Sequence, residues 1–287
     1  MPLEAPLAPV AERVAHLNAR YRHHAAKAVL ERALSDPAVG RIALVSSFGA
    51  ESVVLLHMVS VIDRGTPVLF VDTQMLFPET MAYQAEVAAD LGLTDVRTIR
   101  ARPEAVAARD PDGLLHRSDT DACCDLRKVE PLERALGGFD AWITGRKRFQ
   151  GGRRAVLDFF EDEGGRRIKV NPLAHWAPED VQDYMVNNRL PRHPLVTRGY
   201  PSIGCAPCTT QVAPGEDPRA GRWRRTWRPT GWRPCSSRHA WPKHRRIRQP
   251  RCRTTSGSSR SRRWTGPRYW PLSAPPNGLA WTTRPAT

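Results

Sequence analysis

No aspartate or glutamate occurs in residues 220–287, which carry 17 Lys+Arg, whereas residues 1–219 hold 27 Lys+Arg against all 29 acids of the 287-residue chain. The formal net charge of +15 is therefore a property of the tail. A surface built to grip nucleic acid carries its excess charge on the folded part, so no specific nucleic-acid partner is expected for the first 219 residues. Apolar runs approaching the roughly 20 residues of a membrane span are also missing, which argues against an integral membrane protein. Met1 to Val10 lacks a basic segment followed by an apolar one, so no secretory signal is expected and the compartment expected is cytoplasmic and reducing. Cysteine is scarce, with six in the chain, and in that compartment cysteines serve more often as ligands or nucleophiles than as disulfides.

What is present reads as an α/β chain. Apolar residues at helical spacing (Val10, Val14, Leu17, Tyr21) predict an amphipathic helix or two before Leu34, read as a lid. Short apolar runs at 41–46, 68–72, 95–99 and 141–144 alternate with helical patterns at 52–62, 79–91 and 127–136. That alternation predicts a doubly wound, mostly parallel sheet with ligands at the carboxyl ends of its strands. Residues 155–160 and 166–170, flanking Glu163-Gly164-Gly165, read as a hairpin, and Pro178-Glu179-Asp180 opens a further helix. From Ala220 onward Arg, Trp, Pro, Ser and Thr dominate, and too few aliphatic residues remain to offset the entropy of ordering. Three regions follow: 1–40, 41–223 and 224–287.

Between the first strand and its helix lies Ser46-Ser47-Phe48-Gly49-Ala50-Glu51-Ser52, where backbone N–H groups and a helix N-terminus suit an anion. There is no Gly-Lys-Ser/Thr of a Walker loop, so β–γ phosphate cleavage by that machinery is not expected. Alone, such a loop is more often an ordinary N-cap. Asp72 ends the second strand at the same sheet edge, suited to a ribose hydroxyl or to capping the next turn. Arg146, Lys147, Arg148, Arg153 and Arg154 cluster at a strand end with two glycines, which suits a multiply charged anion or a solvated basic turn. Cys123-Cys124 is expected to begin a helix, and Cys205-Ala206-Pro207-Cys208 lies in a Gly/Pro-bounded loop. A thiol pair plus a C-x-x-C can enclose zinc or a 4Fe-4S cluster, and spacing does not choose between them.

These residues resemble a known family. Ser46 to Ser52 is similar to the pyrophosphate loop of the adenine-nucleotide α-hydrolase superfamily. Asp72 to Thr80 (DTQMLFPET) resembles the DTGxLFPET signature of the adenylyl-sulfate and phosphoadenylyl-sulfate reductases. Trp142 to Gln150 (WITGRKRFQ), with Arg154 following, resembles their ITGxRRxQ segment. The likeness runs from about Arg41 to Trp223, which implies a sulfonucleotide reductase domain over 41–223. Gln74 and Met75 depart from the usual Gly-x, and Gly152 stands where Ser or Thr is common.

The resemblance implies substrate binding by Ser46, Ser47, Gly49, Ser52, Asp72, Lys128, Arg146, Lys147, Arg148 and Arg154. It implies a 4Fe-4S cluster on Cys123, Cys124, Cys205 and Cys208, with Arg127 and Lys128 bridging it electrostatically to the substrate sulfate. The paired-cysteine branch makes adenylyl sulfate the first choice of substrate and its 3′-phosphorylated form the second. Family members attack sulfur with a cysteine thiolate in a C-terminal E-C-G-[IL]-H motif, and thioredoxin or glutaredoxin resolves the adduct; a homo-oligomer is possible. That motif is absent here, which leaves the catalytic residue unassigned and Cys235 as a weak candidate. A GC-rich gene read out of frame yields such an Arg/Pro/Trp-rich sequence, so the expectation is a frameshift just after Trp223 and a chain impaired in turnover. Two competing readings are an ATP-dependent adenylating enzyme of the same superfamily and a nucleotide- or RNA-binding protein using the basic tail.

Overall fold

The structure, a computed structural model, describes residues 8–222 and residue 224. Trp223, Cys235, Cys252 and the rest of the basic tail lie outside the described residues, as do the frameshift expectation and the candidate nucleophile.

Six strands form one sheet in the order β3-β2-β1-β4-β6-β5: β1 (Ile42–Ser46), β2 (Val68–Val71), β3 (Val96–Ile99), β4 (Ala141–Ile143), β5 (Phe160–Asp162) and β6 (Ile168–Val170). All pairs are parallel except β5 with β6. Every residue of β2 is buried, as a central parallel strand covered on both faces requires. The sheet is wound with α3 (Ser52–Ile62) after β1, α4 (Pro78–Asp90) after β2 and α9 (Pro178–Asn187) after β6. The chain runs from β1 outward to β2 and β3, then crosses to β4 on the other flank. The crevice at the carboxyl ends of β1 and β4 is thus the switch point where such sheets bind ligands. The expected doubly wound, mostly parallel sheet is what the chain forms.

Two expectations about these elements are corrected. The N-terminal segment is more than a lid: α1 (Val10–Tyr21) and α2 (Ala26–Ser35) place Leu17, Tyr21, Val29, Leu30 and Ala33 in the same core as the sheet. Asn18 also clamps β5, donating to the Phe160 carbonyl at 2.8 Å and accepting from its N–H at 3.0 Å, which covers an otherwise open edge. The hairpin's first arm is Phe160–Asp162 rather than 155–160. Val156 is exposed, Leu157 and Phe159 are buried and Asp158 between them is exposed, so the alternation that mimics a strand arises from a loop pinned to the core.

Cys123 and Cys124 end a short helix, α7 (Thr120–Cys124), capped by the Asp119 carboxylate on the Ala122 N–H at 2.9 Å. The backbone then widens into a π turn, Asp125–Val129, before α8 (Glu130–Ala135). Pro131 has no N–H for the Arg127 carbonyl four residues back, and its ring crowds that carbonyl. The Glu130 N–H reaches back to Asp125 instead. No helix among the described residues is long and apolar enough to cross a membrane.

Candidate functional site

A cavity of about 730 Å³ opens at the switch point. Its floor is the loop after β1, whose shape follows from its own small residues. Ser46 Oγ accepts the Phe48 N–H at 3.2 Å, and Ser52 Oγ accepts the Gly49 N–H at 3.0 Å. Phe48 sits at φ 45° with its ring fully buried edge-on to Phe70, 5.2 Å between centroids. Burial of that ring outweighs the cost of a left-handed backbone, of order 1–3 kcal/mol, and pins the loop to the core.

Of the residues expected to bind substrate, Ser46, Ser47, Gly49, Ser52, Arg146, Lys147 and Arg154 line this cavity. Arg146 is oriented by Glu161, by Asn171 Oδ1 at 3.0 Å and by Thr144 Oγ1 at 3.1 Å. Lys147, almost wholly buried, bonds Glu51 Oε2 at 2.7 Å and the Gly145 carbonyl at 3.2 Å. Arg154 is held by Gln150. Burial and the positive fields of Arg219, Arg146 and Arg222 together depress its basicity. Guanidinium groups that repel one another around a cavity are the electrostatic signature of a site for a multiply charged anion.

Three expected contacts are not brought there. Asp72 is buried with Oδ1 on the Gln74 N–H and Oδ2 on Arg100 Nε, both at 2.8 Å, so it builds the turn after β2. Arg148 turns to the Leu157 carbonyl at 2.6 Å and to Asp158 at 3.1 Å. Lys128 is exposed, away from the cavity lining, and acts on Cys124. Sequence reasoning in turn missed Glu51, Arg192 and Arg219, which do line the cavity, and Arg222 beside it. The pair Arg219-Ala220-Gly221-Arg222, two arginines three apart with a glycine between, was the available signal.

The second centre lies against the turn after β2. Cys205 Sγ is 3.1 Å from Thr73 Oγ1, the Ala206 N–H donates to the Met75 carbonyl at 2.7 Å, and Cys205 bridges Leu76. Arg127 reaches the same turn, donating to the Thr73 carbonyl at 3.2 Å and to Gln74 Oε1 at 3.4 Å. Gln74 adopts φ 60°, the conformation that makes glycine the usual choice at this position. Arg127 is neutralised by Asp110, which accepts from its Nε at 3.0 Å and Nη2 at 2.7 Å. It is therefore a buried strut rather than the free bridging charge expected.

Cys123, Cys124, Cys205 and Cys208 are all free thiols. Burial, with the neighbouring Cys124 and Cys205, pushes Cys123 up to about 11. Cys124 and Cys208 are raised by burial and by the other thiols, while Lys128 and Arg222 oppose the rise at Cys124 and Arg222 opposes it at Cys208. Four sulfur donors that feel one another's charge, with cations alongside, fit a thiolate-ligated metal group. As they stand, no three or more His, Cys, Asp or Glu side chains among the described residues are grouped to hold a metal ion. Closure onto a metal group therefore calls for side-chain movement.

A family model described as phosphoadenosine phosphosulfate reductase domain matches residues 41–211. The chain is 52% identical over 214 residues to a Mesorhizobium japonicum protein named adenosine 5'-phosphosulfate reductase, covering 75% of this chain and 84% of that one. It is 51% identical over 208 residues to a Chelativorans protein of the same name, covering 72% and 84%. Among solved structures, phosphoadenylyl-sulfate reductase from Candida auris, in a phosphate complex, is similar at a TM-score of 0.59 and 29% identity, covering 70% of this chain and 98% of that one.

Proposed function

The chain belongs to the phosphoadenosine phosphosulfate reductase family, and we propose that its cavity binds adenylyl sulfate for reduction to sulfite and AMP, in the cytoplasm, with thioredoxin or glutaredoxin as donor. It is an oxidoreductase acting on sulfur compounds, built on the adenine-nucleotide α-hydrolase fold. The observation that carries the substrate assignment is the convergence of the Ser46–Ser52 loop with Arg146, Arg154 and Arg219 on one cavity at the switch point. Loop N–H groups and the helix α3 N-terminus receive the phosphate, and the arginines receive the sulfate. Relatives at 51–52% identity that are named for the adenosine 5'-phosphosulfate substrate favour it over the 3′-phosphorylated form.

Cys123, Cys124, Cys205 and Cys208 are the residues we assign to a 4Fe-4S cluster, which when bound supplies a thiolate-held iron centre next to the cavity. Pro131, through the π turn, and Arg127, through Asp110 and Thr73, hold the two halves of that ligand set. Anaerobically purified protein is expected to contain about four irons and four labile sulfides per chain, as a cluster of this type requires. Replacing any of the four cysteines by Ser should remove them. Stoichiometric zinc without labile sulfide would overturn the cofactor.

Reduction needs a thiolate to attack the sulfate sulfur, breaking the bond to the AMP phosphate oxygen. A dithiol then releases sulfite from the resulting S-sulfocysteine and is itself oxidised to a disulfide. With the four core cysteines assigned as ligands, Cys235 and Cys252 are the remaining thiols, and neither has the family's surrounding motif. Our reading is that the chain as written binds substrate without completing sulfo transfer. An adduct of about 80 Da on Cys235, discharged by thioredoxin, would overturn it.

A further inference from the structure

A carboxylate in the wall of an anion cavity works against the charge of its ligand, and Glu51 is one. It occupies the N-cap of α3, yet its side chain makes no cap hydrogen bond. An acid at a helix start can be stabilised by the N–H groups and the dipole there. Glu51 instead lines the cavity and leaves those groups to a ligand. Its Oε2 accepts from Lys147 Nζ at 2.7 Å, and the two side chains are unequally covered, Lys147 at 3% exposure and Glu51 at 32%. The ammonium is thus shielded behind the pair while the carboxylate stays open to the cavity. Oε1 has no hydrogen-bond partner among the described residues.

The other amide and carboxylate groups of the lining are engaged. Gln150 Oε1 accepts from the Lys147 N–H at 3.3 Å and from Arg154, and Gln182 Oε1 accepts from Arg192 at 3.0 Å. Asp217 Oδ1 accepts the Arg219 N–H at 2.7 Å, on the side assigned to the sulfate. A nucleotide brings donors as well as anionic groups, and the ribose hydroxyls are tied through a single methylene to the phosphate that the loop receives. Asp72, which the sequence suited to those hydroxyls, is taken by Arg100 and the Gln74 N–H.

We propose that Glu51 is a specificity-determining residue, whose open oxygen accepts a hydrogen bond from a ribose hydroxyl and whose charge turns away a nucleotide phosphorylated at the 3′ position. A 3′-phosphate replaces a donor by an anionic acceptor beside a fixed carboxylate, so the arrangement that rewards one ligand repels the other. Lys147 holds the carboxylate in place. The inference deepens the substrate reading above and rests on it.

The test is calorimetric titration of the full-length chain with AMP, 2′-deoxy-AMP, 3′-deoxy-AMP and adenosine 3′,5′-bisphosphate. In the unaltered chain, loss of the hydroxyl that Glu51 holds should weaken binding about 10- to 100-fold relative to AMP, as a bond to a charged group implies. Replacing Glu51 and Lys147 together by Met leaves no buried charge unpaired, and in that variant AMP and both deoxy nucleotides should bind within about twofold of one another. Glu51→Gln keeps an acceptor for Lys147 and guards against a folding defect of the double variant. It should raise the affinity for the bisphosphate relative to AMP by about tenfold, since it removes only the charge. Deoxy nucleotides that bind the unaltered chain as tightly as AMP, or a penalty that survives whole in the double variant, would overturn the hydroxyl contact. An unchanged preference between bisphosphate and AMP in Glu51→Gln would overturn the exclusion of the 3′-phosphate. An unaltered chain that does not bind AMP would instead overturn the substrate reading itself.

Discussion

Replacing Asp110 by Asn should be among the most damaging single changes in this chain that touch neither the cavity nor a cysteine. The Asp110 side chain is 0% exposed and that of Arg127 7%. The carboxylate accepts two guanidinium bonds and the Leu115 N–H at 2.8 Å. Asn preserves the shape but leaves the Arg127 charge uncompensated out of water, and breaking a buried pair this way costs about 3–5 kcal/mol. With a urea m-value of about 2 kcal/mol/M, even 3 kcal/mol lowers the unfolding midpoint by roughly 1.5 M. Because Arg127 also holds Thr73, which touches Cys205, retained iron should fall with stability. Glu130 in the same segment pairs with Arg109 in the open, at 50% and 40% exposure, so Glu130→Gln should cost no more than about 1 kcal/mol. Urea unfolding followed by circular dichroism compares the two. A loss below about 1 kcal/mol for Asp110→Asn would refute the reading of this pair as a structural strut.

His193 is fully buried, its Nε2 3.1 Å from Thr80 Oγ1, and burial lowers it to about 4. The unfolded chain binds that proton near pH 6.5 and the folded one only near 4, so stability should fall as pH drops through this window, by up to about 3 kcal/mol from this group. A His193→Gln variant should show a correspondingly flatter dependence of its unfolding midpoint between pH 6.5 and 4, and an unchanged slope would refute the assignment. Gln74→Gly relieves a left-handed backbone at the turn after β2 and should raise stability by about 0.5–1 kcal/mol, read as a higher melting temperature; a lower one would mean that the Arg127 contact outweighs the strain.

The architecture was legible because it depends on signals that survive in one dimension. The β-branched runs at 42–46 and 68–71 are central strands buried on both faces, and each is followed by a helix of the expected period. The cavity floor was legible for the same reason, since Ser46 and Ser52 shape their loop through neighbours within three residues. Roles set by distant partners were not. Asp72 is taken by Arg100, Arg148 by Leu157 and Asp158, and Arg127 by Asp110; each pairing decides whether a charge faces the cavity, and none is written in local spacing. The same holds for Glu51, whose partner Lys147 is 96 positions away. The shifted hairpin arm shows the converse error, in which burial alternating over Leu157 and Phe159 imitates a strand without a ladder partner.

The central claim is that a sulfonucleotide occupies the cavity framed by the Ser46–Ser52 loop and Arg154, and calorimetric titration of AMP and adenylyl sulfate tests it directly. Arg154 lines the cavity on the side assigned to the sulfate, so removing it should weaken adenylyl sulfate by about 1–3 kcal/mol, the cost of leaving a charged ligand group without its partner, and AMP, which has no sulfate, by less. Arg148 faces Leu157 and Asp158, so Arg148→Ala should leave affinity within about twofold of the unaltered chain, under 0.5 kcal/mol. Equal weakening by the two changes, or none by either, would contradict the account.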